Sequence, residues 1–463
     1  MARSITRDMT NGSPTKLILQ FSLPMLIGNL FQQFYNMVDS IVVGKFVNYE
    51  ALAAVGATSS LIFLIFGLTF GLSAGISIVI SQYFGAKDYD NVRKGFTTAA
   101  YIIIGASLIM GTIGFFSSRW LLELLNTPEN IIGMSDLYMK ITYAGILGVA
   151  CYNGMAAVLR ALGDSITPLI FLIIASLLNV VLDLIFVIVF HWGVAGVAIA
   201  TIISQWVSAI GCILYAMAKV KLLRIPLKEF KPDAAIFRKC IRLGIPVALQ
   251  NSFVSISIMV LQGVINGFQE TIMAAATVVN RIEQLVLQPG MSLGAAVASF
   301  TGQNVGAGNI DRVKKGMKSA TVLILIFSLI MLPTLYYGGE YLMRLFTKKE
   351  DIEVVTYGVQ GIRITSFFYT FVGMIFITRN FLSGSGDIHV PMAMGFTEVV
   401  CRVTFSSFLA AQIGFKGIFW ATAITWFVTG IVGILRVLSG KWKGKSVVKP
   451  QLNAVDAENV TET

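Results

Sequence analysis

The chain has 463 residues, 56% of them hydrophobic and only 13% charged, with a net charge of +11, whereas an ordinary soluble domain carries charge on about a quarter of its residues. Its four cysteines, Cys151, Cys212, Cys240 and Cys401, have no paired or metal-like spacing, and its two histidines, His191 and His389, each stand beside a turn. A disulfide framework, a metal centre and a His-based catalytic dyad are thereby excluded, and the composition is that of a multi-pass membrane protein rather than an enzyme.

The first apolar run follows Arg3, Arg7 and Lys16, but it contains Gln32, Gln33 and Asp39 and lacks a small-residue cleavage pattern. It reads as a retained first helix, not a signal peptide. From there, apolar runs punctuated by Gly, Pro and charge predict spans one to six near 16–41, 51–80, 95–117, 134–158, 167–190 and 193–218. A second set, spans seven to twelve, follows near 240–264, 272–300, 317–337, 354–380, 389–412 and 415–436. The expected fold is all-α and integral to the membrane. It has a first lobe over residues 1–218, a basic connector over 219–239, a second lobe over 240–438 and a polar tail over 439–463.

Lys and Arg orient these spans. With the N-terminus inside, the 35 basic residues divide as about 25 cytoplasmic, about 6 external and about 4 within helices. The cytoplasmic group includes Lys87, Arg93, Lys94, Arg312, Lys314, Lys315, Lys318 and the run from Lys219 to Arg242; the external group is Lys45, Arg119, Arg344, Lys348, Lys349 and Lys416. Both termini are therefore expected in the cytoplasm, with the chain in the inner (plasma) membrane. The connector is expected against anionic inner-leaflet lipids, each charge contributing about 1 kcal/mol, which accounts for the net charge without nucleic acid. The tail from Gly440 to Thr463 is polar, ends acidic and is expected to be disordered. Within it, Gly440, Gly444, Lys445 and Ser446 faintly resemble a phosphate loop, but only three residues separate the glycines and no strand precedes them. A nucleotide site is rejected.

The strongest organising signal is an internal repeat at an offset near 222 residues. Gln82, Gly85, Ala86, Val92, Lys94 and Gly95 match Gln303, Gly306, Ala307, Val313, Lys315 and Gly316. Pro24 and Asn29 match Pro246 and Asn251, Glu129 matches Glu350, and Gly163, Asp164 and Pro168 match Gly386, Asp387 and Pro391. Each copy holds six crossings, an even number, so both enter from the same side and are related by an axis along the membrane normal. Two pseudo-symmetric six-helix lobes around a central cleft, about twelve transmembrane helices in all, are the plan of an alternating-access carrier.

On this frame the chain resembles the multidrug and toxic compound extrusion (MATE) family, bacterial type. The resemblance is carried by the two glycine-bearing loops above, by AAVGATSSL from Ala53, by RALGDSITP from Arg160 and by LNVVLDLIF from Leu178. It implies antiport, in which a small amphipathic or cationic organic compound leaves as protons or sodium ions enter. No cofactor beyond the transported ion and no nucleotide is implied, and a monomer is expected to suffice.

An ionisable residue inside the membrane costs about 2.5–3.5 kcal/mol on insertion scales and is a functional candidate by default. The first lobe has two, Asp39 and Asp183, with Asn179 four residues before Asp183 on the same helix face. At 1.5 Å per residue, Asp39 lies roughly 12 Å and Asp183 roughly 6 Å outward of their helix centres, and Thr201 enters span six at about the level of Asp39. Four oxygen-bearing side chains can thus converge, to bind sodium or to share a proton. By the resemblance, Asp39, Asn179, Asp183 and Thr201 fall on the coupling-cation site. Gln32, Tyr35 and Asn36 share the Asp39 face and, with Asn153, are candidate substrate contacts; inter-helix hydrogen bonding is the competing reading.

The second lobe does not copy this site. Leu261 stands opposite Asp39, Arg402 opposite Asn179 and Ser406 opposite Asp183. It offers instead Arg281 with Glu283 in span eight, and Glu398 with Arg402 in span eleven, whose spacing suits a structural ion pair, with a proton relay as the competing reading. The alternative function is a lipid-linked oligosaccharide flippase. Its pyrophosphate would call for several cations in the cleft, and the intrahelical cations are read as Lys140, Arg281, Arg363 and Arg402.

Overall fold

The computed structural model describes residues 6–448, which form helices and their connections with no strand among them. The helices are α1 (Pro14–Phe46), α2 (Tyr49–Gly85), α3 (Tyr89–Leu124), α4 (Glu129–Ala144), α5 (Ile146–Ala161), α6 (Ile166–Leu184) and α7 (Gly193–Lys219). They continue as α8 (Ala234–Ile265), α9 (Glu270–Gly306), α10 (Ile310–Arg344), α11 (Ile352–Ser366), α12 (Tyr369–Ser385), α13 (His389–Ile413) and α14 (Lys416–Leu438). Spans four and ten are each broken: α4 and α5 meet at 48°, α11 and α12 at 54°. Counting each bent pair once leaves twelve consecutive spans among the described residues.

Among the described residues, seven helices are long and apolar enough by themselves to cross a membrane, nine spans with the bent pairs. The three that fall below that measure are α1, α9 and α13, which carry Asp39, Arg281 with Glu283, and Glu398 with Arg402. The candidate functional residues are among the polar groups that lower their hydropathy. The helices also outrun the apolar stretches that predict them. The 37 residues of α2 extend about 55 Å against about 30 Å of hydrocarbon, so the apolar run marks only the lipid-immersed part.

The described residues divide into two compact units, those up to Asp8 with Leu23–Ala248, and Met9–Ser22 with those from Leu249 onward. The division falls inside α1 and α8, the first helix of each repeat, and not in the connector. Within the first unit the start of α8 lies against α2 at glycine-only distance. A Cβ on Gly75 would fall 2.6 Å from the Gly244 nitrogen, and one on Gly71 2.5 Å from Ala248. Small residues at such spacing let two helix backbones meet directly in a membrane.

The repeat is visible in backbone hydrogen bonds. After α2, Ala86 N–H donates to Gln82 O, Lys87 to Phe84 O and Asp88 to Tyr83 O; after α9, Ala307 donates to Gln303 O, Gly308 to Val305 O and Asn309 to Asn304 O, all at 2.9–3.0 Å. Both turns use a left-handed residue, Lys87 in the first and Gly308 in the second. The turns at Gly163 (φ +85°) and Gly386 (φ +90°) match in the same way. The aspartates that follow have diverged. Asp164 caps α6 by accepting from Ile166 and Thr167 N–H at 2.9 and 3.0 Å, with burial pushing its carboxyl pKa up, whereas Asp387 pairs with Arg436 at 2.7 Å.

The tail departs from expectation at its start. Trp442 is buried, its ring edge-on to Phe381 at 4.9 Å and its indole N–H on Val437 O, because an indole beside an apolar helix end gains more from packing than from water. The remainder of the tail, 449–463, expected to be disordered, lies outside the described residues.

Candidate functional site

In the first unit, α1 delivers Asp39, α6 delivers Asn179 and Asp183 one turn apart, and α7 delivers Thr201 near its start. Asn179 and Asp183 are fully buried and Asp39 and Thr201 half-buried. The four converge as their depths predict. With its amide nitrogen turned to the carboxyls, Asn179 donates to Asp39 Oδ1 at 2.9 Å and Asp183 Oδ2 at 3.2 Å, while its oxygen accepts from Thr201 N–H at 3.2 Å. In the opposite orientation the nitrogen meets Thr201 Oγ1 at 3.3 Å and the oxygen faces the carboxyls. The Asp39 and Asp183 carboxyls are themselves within hydrogen-bonding reach. Asp183 Oδ1 is buried and receives no hydrogen bond from any donor among the described residues.

Two tyrosines complete the cluster. Tyr35, read from the sequence as a substrate contact, has its hydroxyl within hydrogen-bonding reach of Asp39 and Thr201. Tyr138 of α4 lies close enough to both carboxyls to feel their charge. Sequence reasoning missed it, since a tyrosine in a helix is ordinary; with Met134 it packs against the cluster of Val42 and Val43 from α1 and Val194 and Val197 from α7. Gln32 and Asn36 are exposed on α1, and Asn153 donates to Val149 O of its own helix at 2.8 Å. No hydrogen bond among the described residues joins these three to the carboxyl cluster.

Immediately after Asp183, α6 widens into a π-helical turn over Ile185–Val189, with Phe190 N–H on Ile185 O at 3.1 Å. The chain then reverses through His191 and Gly193, both left-handed, under a cluster of Phe186, Phe190 and Trp192. Such widened turns recur beside functional residues because they re-aim the preceding side chain.

The second unit arranges its charges differently from the expected pairing. Glu398 pairs with Arg379 of α12, and Arg402 donates to Thr422 of α14 at 3.3 Å. Residues four apart share a helix face, but a guanidinium from a neighbouring helix approaches the carboxylate head-on, and here it takes the contact. Arg402 stays close enough to feel both Glu398 and Glu283. Glu283 is buried beside Thr365 and Tyr369, while Arg281, two residues earlier, is exposed on another face of α9. At the positions opposite the first-lobe site, Leu261 is core and Ser406 bonds the Arg402 carbonyl. The intrahelical cations also include Arg160 and Arg379, which the sequence reading omits. Lys140 is held by Asp136 at 2.7 Å, and Arg363 lies over the Tyr336 ring while donating to its carbonyl.

Comparison with known proteins bears on the whole chain. The family model described as MatE matches twice, over residues 24–185 and 246–408, so the two matches start 222 residues apart, the spacing of the repeat. The chain is 30% identical over 438 residues, 94% of itself and 97% of the relative, to "Probable multidrug resistance protein YpnP" of Bacillus subtilis. It is 24% identical over 426 residues, 91% of itself and 93% of the relative, to "Multidrug export protein MepA" of Staphylococcus aureus. Among solved structures, a crystal structure of MATE in the bent conformation superposes with a TM-score of 0.85 at 25% identity, covering 95% of this chain and 98% of that one. Two family matches in register with the repeat, on a twelve-span two-lobe fold, show that the chain belongs to the MATE family, multi-pass membrane transporters and not enzymes.

Proposed function

We propose that the chain is a secondary active exporter that moves small amphipathic or cationic organic compounds outward in exchange for H+ or Na+ by alternating access, with Asp39, Asn179, Asp183 and Thr201 holding the coupling ion. The observation that carries this reading is a pair of carboxyls in contact, Asp183 buried and Asp39 half-buried, bridged by Asn179. Ionised carboxylates only accept hydrogen bonds, so two in contact, one of them shut away from water, call for a cation between them. A proton shared by the pair meets that need. So does a sodium ion among carboxyl, amide and hydroxyl oxygens. The Asn179 amide suits either: nitrogen inward, it is a donor that helps hold the charged pair; oxygen inward, it adds a ligand for sodium.

The ion is transported cargo, and its binding is the switch. Neutralising the pair relaxes the hold of Asn179, Tyr35 and Thr201 on α1, α6 and α7, and the exporter releases its compound outward. One charge entering down 100 mV gains about 2.3 kcal/mol, enough for roughly 40-fold export of a neutral compound. A monovalent organic cation would cancel that electrical gain, leaving the chemical gradient or a second ion to drive it. The substrate class rests on the relatives, whose names describe multidrug resistance and export, with Gln32, Asn36 and Asn153 as proposed contacts and Tyr35 assigned instead to the ion site. The same reading places both termini in the cytoplasm of an inner-membrane monomer. The flippase alternative is not favoured, since Lys140, Arg379 and Arg402 are already engaged by Asp136, Glu398 and Thr422.

Dye export from proteoliposomes under an imposed pH gradient or an imposed sodium gradient, one at a time, tests the proposal. One gradient is expected to drive export against the dye concentration. Export indifferent to both would overturn it.

A further inference from the structure

In the second unit, a cavity of about 580 Å³ lies between the start of α10, the ends of α12 and α14 and the turn that follows α14. Its walls are apolar, among them Met317, Val322, Met374, Val437 and Leu438, and the buried Trp442 closes one side against Phe381. Three lysines, Lys314, Lys318 and Lys443, line the same space. Lys314 is occupied by Asp311 at 2.8 Å. Lys318 is exposed and has no hydrogen bond or ion pair with any described residue. Lys443 folds over Gly440 and feels Asp311 only at a distance. Cationic heads over an apolar chamber complement a ligand with the opposite pattern, an anionic head on an apolar body.

The mouth says which such ligand. Lys318, Val322, Leu325 with Ile326, and Leu329 follow one another at helical spacing on one face of α10. Val322 both lines the cavity and is half exposed, and Leu325, Ile326 and Leu329 are exposed too, Leu329 to 73%. On a membrane-spanning helix an exposed apolar stripe faces acyl chains, so the cavity opens onto the bilayer at headgroup level. Free phosphate would gain nothing from the walls, and a zwitterionic headgroup would bring its own ammonium against the lysines.

We propose that this cavity binds an anionic glycerophospholipid of the surrounding leaflet, its phosphate on Lys318 and Lys443, its glycerol and upper chains in the chamber, and its lower chains along the α10 stripe. The site is separate from the carboxyl cluster and independent of which ion is coupled. Purified full-length protein titrated with phosphatidylglycerol, phosphatidylcholine, oleate and soluble glycerophosphate, with retained molecules counted by native mass spectrometry, tests it. Phosphatidylglycerol is expected to be retained above the other three. The double variant Lys318→Gln with Lys443→Gln is expected to weaken that retention roughly tenfold or more, as removal of two lysines near an anionic head implies. Val322→Trp, which fills the mouth without touching charge, is expected to weaken it as well. Equal retention of phosphatidylcholine, equal retention of oleate or glycerophosphate, or unchanged retention in both variants would each overturn the proposal.

Discussion

At the scale of single residues, the site is a problem of unpaired acceptors. Asp39 and Asp183 have between them one amide, one tyrosine hydroxyl and each other. A hydrogen bond to a charged group contributes about 1.5–3 kcal/mol, so Tyr35→Phe is expected to slow gradient-driven dye export by about tenfold while dye binding to the purified protein is unchanged. Loss of binding with coupling intact would instead make Tyr35 a substrate contact. In the second unit, removing one partner of a buried ion pair costs about 3–5 kcal/mol, whereas removing both is far milder. Glu398→Gln alone should therefore lower the unfolding temperature more than Glu398→Met with Arg379→Met together. A double variant as unstable as the sum of the singles would contradict the pairing. The carboxylates were legible in the sequence because a charge inside an apolar run is conspicuous. The partner of Glu398 was not. The helical pattern offers Arg402 four residues on, while Arg379 is nineteen residues back on another helix, and only tertiary packing brings it near.

At the scale of helices, periodicity and punctuation located every span, but not the breaks within spans four and ten. Ala144, Gly145 and Ile146 read as a continuing apolar helix. The break answers to packing, since a Cβ on Gly145 would fall 2.3 Å from the Ile202 side chain of α7. The π-helical turn after Asp183 is equally silent in sequence, because Ile185–Val189 suits an α-helix as well. Where α2 meets α8, the constraint is legible as Gly71 and Gly75 facing Gly244 and Ala248. Gly75→Leu is expected to drive these helices apart and to cut the yield of folded, detergent-extracted protein sharply, measured by size-exclusion profile. Gly56→Leu, at a glycine with open space around it, is the control that should leave the profile unaltered.

At the scale of the whole chain, two copies of one six-span design carry different chemistry. The turns after α2 and α9 share one hydrogen-bond pattern, yet the Asp39, Asn179 and Asp183 positions of the first lobe hold Leu261, Arg402 and Ser406 in the second. In the proposed function, gradient energy enters through the Asp39 and Asp183 pair. The most direct test compares gradient-driven export with counterflow of labelled substrate, which needs no gradient, in proteoliposomes of wild type, Asp39→Asn and Asp183→Asn. Both variants are expected to lose gradient-driven export and keep counterflow. Export at the wild-type rate in either variant would contradict it.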